Sequence, residues 1–99
     1  MNSSASDIQP PRAKSVNVTE DAVTLELTDG RKICAPLAWY PRLAHGSPAE
    51  RSNWELTGRG QGVHWPDLDE DISVESLLGG RPSGESPSSL SRWLAQRSR

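Results

Sequence analysis

Between Val16 and Leu78 apolar and polar residues alternate, and the period of that alternation predicts most of the elements. Residues 16–19 (Val16, Val18), 23–28 (Val23, Leu25, Leu27) and 31–35 (Ile33, Ala35) keep a period of two and read as three strands of an antiparallel meander. The same spacing selects the turns. A two-residue turn at Asp29-Gly30 would set Leu25 opposite Cys34 and leave Ile33 on the wrong face. A three-residue loop, Thr28-Asp29-Gly30, sets Leu25 opposite Ile33 and Val23 opposite Ala35. It places Gly30 at the left-handed position of a bulge, so Gly30 is predicted to have positive φ. Glu20 and Asp21 form the tip of the preceding loop and let Val18 face Val23. Cys34 is out of phase with Ile33 and is predicted to face the other way.

Pro36 ends the third strand, because it cannot donate to a ladder. Leu37 to Leu43, with Trp39 and Tyr40 ahead of Pro41, reads as an irregular or single-turn segment that folds aromatic rings over the sheet. Ser47-Pro48-Ala49-Glu50 has the form of a capping box with proline at the first helical position, predicting a short helix over 48–53. A small strand pair follows at 54–57 and 62–65, punctuated by Gly58, Gly60 and Gly62 and ended by Pro66. Asp71 to Leu78 reads as a second helix, regular near 73–78, with Ser76 where Glu or Gln would complete the box after Ser73. The acids before it are read as favouring its N-terminus. Gly79-Gly80 and Pro82 stop it. The fold class predicted is α+β: a small three-stranded antiparallel meander plus a short strand pair, packed with two short helices. Trp39, Trp54 and Trp65 are assigned to its core.

Residues 1–15 read as a disordered tail, 16–80 as a single α+β domain, and 81–99 as a basic Ser/Pro/Arg tail. Within that tail, 88–97 has the spacing to form a short helix with Leu90, Trp93 and Leu94 on one face and Arg92 and Arg97 off it. Ten residues rarely hold a helix alone in water, so it is expected to order only when docked. Trp93 is the tryptophan expected to be most exposed.

Composition adds a constraint on stability. The chain has four Trp, no Phe and one Cys. A body of about 64 residues buries only roughly 60% of its unfolded surface. Cys34 alone cannot form an internal disulfide, and a single thiol fits a reducing compartment. A protein partner or self-association is therefore an expected source of extra stability. Residues 16–79 carry eleven acids and five bases, while the C-terminal tail is basic. An acidic body argues against non-specific nucleic-acid binding, which rests on cancelling phosphate charge. The tail keeps nucleic acid open as a partner. Met1 to Pro11 lacks the apolar run of a secretory signal, and no stretch approaches the roughly 20 apolar residues of a membrane span. The expected location is the cytoplasm, with no membrane partner.

Chemistry concentrates in Gly60-Gln61-Gly62-Val63-His64-Trp65-Pro66-Asp67-Leu68-Asp69-Glu70-Asp71. One imidazole and four carboxylates suggest a divalent-cation site, but the spacing matches no calcium loop. The structural reading is preferred: Trp65 packs, Pro66 turns the chain, and the acids cap and solvate the next helix. His64 as a general base lacks a nucleophile nearby in sequence. Gly58-Arg59-Gly60-Gln61-Gly62 lacks the Lys-Ser/Thr and strand–loop–helix context of a phosphate loop and reads as a glycine-rich hairpin.

Leu25-Glu26-Leu27-Thr28-Asp29-Gly30-Arg31, Pro36-Leu37-Ala38-Trp39-Tyr40-Pro41-Arg42-Leu43, Glu50-Arg51-Ser52-Asn53-Trp54 and the run from Gly62 to Val74 together resemble a bacterial family known only as domain of unknown function 2442. The likeness spans about Val16 to Gly80. It implies a small α+β domain and, because such proteins are often encoded beside another small protein, a binding partner in a toxin–antitoxin-like pair. The function expected is a non-enzymatic protein-interaction module, acting with a co-expressed partner or as a homodimer. The alternative is a nucleic-acid-associated regulator using the C-terminal tail, and the remaining one a metal-dependent enzyme centred on His64. No catalytic residue, metal or cofactor is assigned. Candidate partner-binding residues are Trp39, Tyr40, His64, Trp65, Asp69, Arg92 and Trp93.

Overall fold

A computed structural model describes residues 11–97. Residues 1–10 of the tail expected over 1–15 lie outside the described residues. Three strands, β1 (Ala13–Val18), β2 (Ala22–Leu27) and β3 (Lys32–Pro36), form one antiparallel sheet in sequence order. The hairpins have the predicted register: Val18 faces Val23, Val23 faces Ala35 and Leu25 faces Ile33. Gly30 closes the second hairpin at φ +94, with its N–H bonded to the Leu27 carbonyl at 3.1 Å. Cys34 is exposed on the outer face, its Sγ 3.1 Å from Thr24 Oγ1. Residues 13–15, read as tail, belong to β1. Ala13 is buried and pairs with Leu27, and the irregularity between Ala13 and Ser15 hides the alternation from a sequence pattern.

A 3-10 turn (Leu37–Trp39) and a single-turn helix α1 (Pro41–Ala44) carry Leu37, Tyr40 and Leu43 into the interior. Helix α2 (Pro48–Ser52) starts with the predicted box: Ser47 Oγ accepts from the Glu50 amide at 3.1 Å, and Glu50 accepts from the Ser47 amide at 2.9 Å. Arg51 joins the two short helices by donating to the carbonyls of Leu43 and Ala44 at 2.9 and 2.8 Å.

The second sheet has three strands rather than the predicted pair: β4 (Glu55–Thr57), β5 (Gly62–Trp65) and β6 (Glu70–Ser73). Asp71 and Ile72 were read as the first residues of a helix. They are strand, because Ile72 pairs with Val63 and alternates inward with Val74. Helix α3 begins only at Val74 and runs to Leu78. Its cap is Ser73, whose Oγ accepts from the Ser76 amide at 3.0 Å. The acids before it therefore do not cap it; Glu70 and Asp71 lie in β6. Helix α4 (Pro87–Arg97) follows an irregular stretch and packs back on the body.

One buried cluster unites these pieces. Val23, Leu25, Leu27 and Ala35 come from the first sheet, Val63, Trp65 and Ile72 from the second, and Leu68, Val74, Leu77 and Trp93 from turns and helices. Trp39 and Trp54 are half-buried at its edge. The fold is α+β with two open three-stranded sheets and short helices.

Candidate functional site

Alternation along β5 turns Val63 and Trp65 inward and leaves His64 on the outer face of the second sheet. The register sets Glu55 of β4 and Asp71 of β6 opposite His64 on either side. Its Nδ1 lies 2.9 Å from Asp71 Oδ1. The other acids of the run go elsewhere. Asp67 accepts from Asn53 at 2.9 Å, Asp69 faces Arg42, and Glu70 points into the core. Strand pleating separates Glu70 from Asp71, and Asp69 takes a left-handed conformation (φ +50) in the hairpin turn. Among the described residues no group of three His, Cys, Asp or Glu side chains is placed to hold a metal ion. A shallow depression of about 220 Å³ is lined by Pro11, Gln61, Ser73, Val74 and Glu75 and contains neither His64 nor Cys34. The glycine-rich segment is a 3-10 turn (Gly58–Gly60) feeding a strand.

The candidate residues fall into two sets. Trp65, Tyr40 and Trp93 are 0%, 3% and 8% exposed and belong to this chain's own core. Trp65 Nε1 donates to the Arg51 carbonyl at 3.0 Å, while the Tyr40 hydroxyl is buried without a hydrogen-bond partner. Trp93 was expected to be the exposed anchor; instead α4 lies on the body and buries it. His64 and Trp39 are half-buried, and Asp69 and Arg92 are exposed.

The fold brings together a seat for α4 from residues far apart in the sequence. The Arg42 guanidinium of α1 lies over the Trp93 ring at 5.3 Å from its centroid, and that of Arg97 at 4.6 Å. Arg42 is held by Glu85 through a two-pronged ion pair, and it also donates to the Asp69 carbonyl at 3.0 Å and carboxylate at 3.3 Å. Ser89 of α4 donates to the same Glu85 carboxylate. At the other end Arg97 grips Glu50 with two bonds, 2.8 and 3.1 Å, and reaches the Asp67 carbonyl at 3.4 Å. Arg97 was placed off the apolar stripe of α4. It stands four residues after Trp93 and so lies on the docked side. That spacing is the available signal for Arg97; Glu50 is marked locally only as part of a helix cap, and nothing local marks Arg42 or Glu85.

The electrostatics follow the geometry. The Arg97 guanidinium, then the Ser47 amide, hold the Glu50 carboxyl down at about 2. Arg42 and then Ser89 lower Glu85. Glu85 raises Arg42, and Glu50 raises Arg97. In the core burial raises Glu70, and burial followed by the nearby Glu70 raises Tyr40.

No described helix is long and apolar enough to cross a membrane. No curated protein matches this chain. Two solved structures resemble it closely. One is a crystal structure of a protein of unknown function from Rhodospirillum rubrum, 26% identical, with a TM-score of 0.66 over 78% of this chain and 95% of that one. The other is a solution structure of an uncharacterised protein from Chromobacterium violaceum, 24% identical, with a TM-score of 0.63 over 87% of this chain and 75% of that one, and it speaks to the fold alone. The Gly30 hairpin, the aromatic turn before Pro41 and the run from His64 to Val74 all fall within residues 13–83, where the family described as Protein of unknown function (DUF2442) matches, and the chain belongs to that family.

Proposed function

We propose that this protein is a non-enzymatic interaction module, acting with a protein partner or as a homodimer. The observation that carries the reading is the docking of α4. The helix lies beyond residues 13–83 that the family shares, yet the body seats it through one aromatic anchor flanked by ion pairs. Anchors of that kind hold helical partners to folded modules. Neutralising a co-expressed partner in the manner of an antitoxin is one form this takes. The exposed Cys34 thiol fits a reducing compartment, so the cytoplasm is the proposed location.

Two observations weigh against the rival readings. Trp93 and Arg97, needed by a nucleic-acid-binding tail, are engaged with the body, leaving Arg81 and Arg92 exposed among the described residues. Of the four carboxylates of the run only Asp71 stays beside His64, while Asp67, Asp69 and Glu70 point elsewhere. Affinity purification from the native host, with light scattering on the pure protein, tests the proposal. A stoichiometric protein partner or a stable dimer is expected, and alanine at Trp39, His64, Asp69 or Arg92 then maps the contact. A protein that stays monomeric and recovers no partner refutes it.

A further inference from the structure

We propose that the surface beneath α4 is a receptor face for a cationic helix bearing one buried aromatic side chain on a partner protein. The chain's own α4 is its resident occupant, which the partner must displace. The inference rests on the interaction-module reading and specifies its site, the chemistry of its partner and its gate.

The first support is separability. Between the end of α3 at Leu78 and the start of α4 at Pro87 lie eight irregular residues, among them Gly79, Gly80, Pro82 and Gly84. The Ser83 amide is bonded to the Trp39 carbonyl at 3.0 Å and Glu85 to Arg42, so α4 swings clear when Glu85 lets go of Arg42, with both sheets and α2 left in place. The second support is the character of α4 itself. Its inward side is Leu90, Trp93 and Leu94, whereas Ser88, Ser91, Arg92, Ala95 and Gln96 are exposed. A helix this short is marginal in water, so it holds its shape by docking. Release costs the body no element of either sheet.

The third support is complementarity. With α4 lifted, the face presents the apolar seat of Trp93 beside Arg42, which keeps Asp69 as a partner. Glu50 at the far rim loses Arg97, and the Asp67 carbonyl loses its donor. Residues 13–83 carry eleven acids against seven bases. An apolar hole with the Arg42–Asp69 pair at one rim and the Glu50 carboxylate and Asp67 carbonyl at the other selects an aromatic anchor followed one turn later by a cation, which is the arrangement of Trp93 and Arg97. A short tether holds the resident helix at an effective concentration on the order of millimolar. An outside helix of equal intrinsic affinity near 0.1 mM would then bind the closed protein about tenfold more weakly than the open one.

The experiment uses the full-length chain and, as probe, a fluorescent peptide with the sequence of residues 84–97, read by anisotropy at low salt. Two variants open the face: Trp93→Ala removes the anchor, and Arg97→Glu keeps the anchor but sets a like charge against Glu50 and removes the cation stacked on Trp93. Hydrogen exchange reports whether α4 is released while the sheets stay protected. Both variants are expected to bind the peptide at least tenfold more tightly than the wild type, and added salt or a Trp93→Ala peptide abolishes it. The proposal is overturned by a variant with α4 released and sheets protected that binds no better than wild type. It is equally overturned by a wild-type dimer that Trp93→Ala dissolves, since a second copy then fills the seat. Should Trp93→Ala unfold, Arg97→Glu decides alone. Peptide indifference beside a partner recovered from the host defeats this face and leaves the module reading standing; recovery of no partner and no dimer defeats that reading.

Discussion

Replacing Glu70 by Gln is expected to stabilise the protein at neutral pH, against the usual direction of core substitutions. Glu70 lies on the inward side of β6 opposite Trp65 and is 9% exposed. Its Oε1 accepts from the Asp71 amide at 3.0 Å, but its Oε2 is buried with no hydrogen-bond partner, as is the Tyr40 hydroxyl. Burial raises the Glu70 carboxyl above its ordinary 4.5; the Asp71 amide and Arg42 pull it back, while Glu85 and Asp71 add to the rise. The folded pKa therefore exceeds the unfolded one. Above the folded value the ionised group is desolvated on folding and costs stability. As pH falls through the folded value towards 4.5 the group is protonated in both states and the cost disappears. Glutamine keeps the acceptor for Asp71, removes the charge and brings an N–H donor towards the unpartnered region. An orphaned buried polar group costs about 1–3 kcal/mol, with charge adding to it. For a chain of this size that corresponds to a rise in Tm of roughly 5–20 °C. Thermal melts of both proteins from pH 8 to pH 3.5 provide the assay. The gap should be widest near neutrality and close by about pH 4. A less stable Glu70→Gln at pH 7, or a gap that does not vary with pH, refutes the reasoning.

Two further measurements probe the fold and the α4 seat. Gly60→Ala and Gly30→Ala share positive φ, +91 and +94, but a Cβ on Gly60 would sit 2.8 Å from the Ala13 carbonyl oxygen while Gly30 faces open space. Denaturant melts should give about 1–2 kcal/mol for Gly30→Ala, the left-handed cost alone, and clearly more for Gly60→Ala; equal losses would refute the packing of β1 on the glycine turn. The Glu50 carboxyl should titrate by NMR with a midpoint of about 2. Its folded pKa is depressed, so the stability it lends is present above about 4.5 and is lost as pH falls towards 2. In Arg97→Ala the midpoint should climb towards 4.5, held below it by the Ser47 amide; an unmoved midpoint would break the link between α4 and the body.

Local physics made the hairpins legible in the amino-acid sequence. Period-two alternation, one glycine at the bulge and a Ser-Pro-x-Glu cap act over three or four residues, and the Leu25–Ile33 register and the start of α2 came out as predicted. The same local reading misassigned Asp71 and Ile72. An Ile-Ser-Val stretch suits strand and helix alike until Val63 is laid beside it. Leu68, fully buried, sits in a polar turn whose composition gives no sign of its burial. Trp93 and Arg97 were decided at longer range still. Arg42 meets Glu85 across 43 residues, and Glu50 meets Arg97 across 47. Such pairs exist only after two sheets and the eight-residue connection have closed around one core. The sequence by itself thus determined strand phase, turn type, caps and family. Which tryptophan is hidden, which acid lies unpaired in the interior, and which face the last helix covers were decided by tertiary packing, because burial is a property of what comes to lie opposite a side chain and not of its neighbours along the chain.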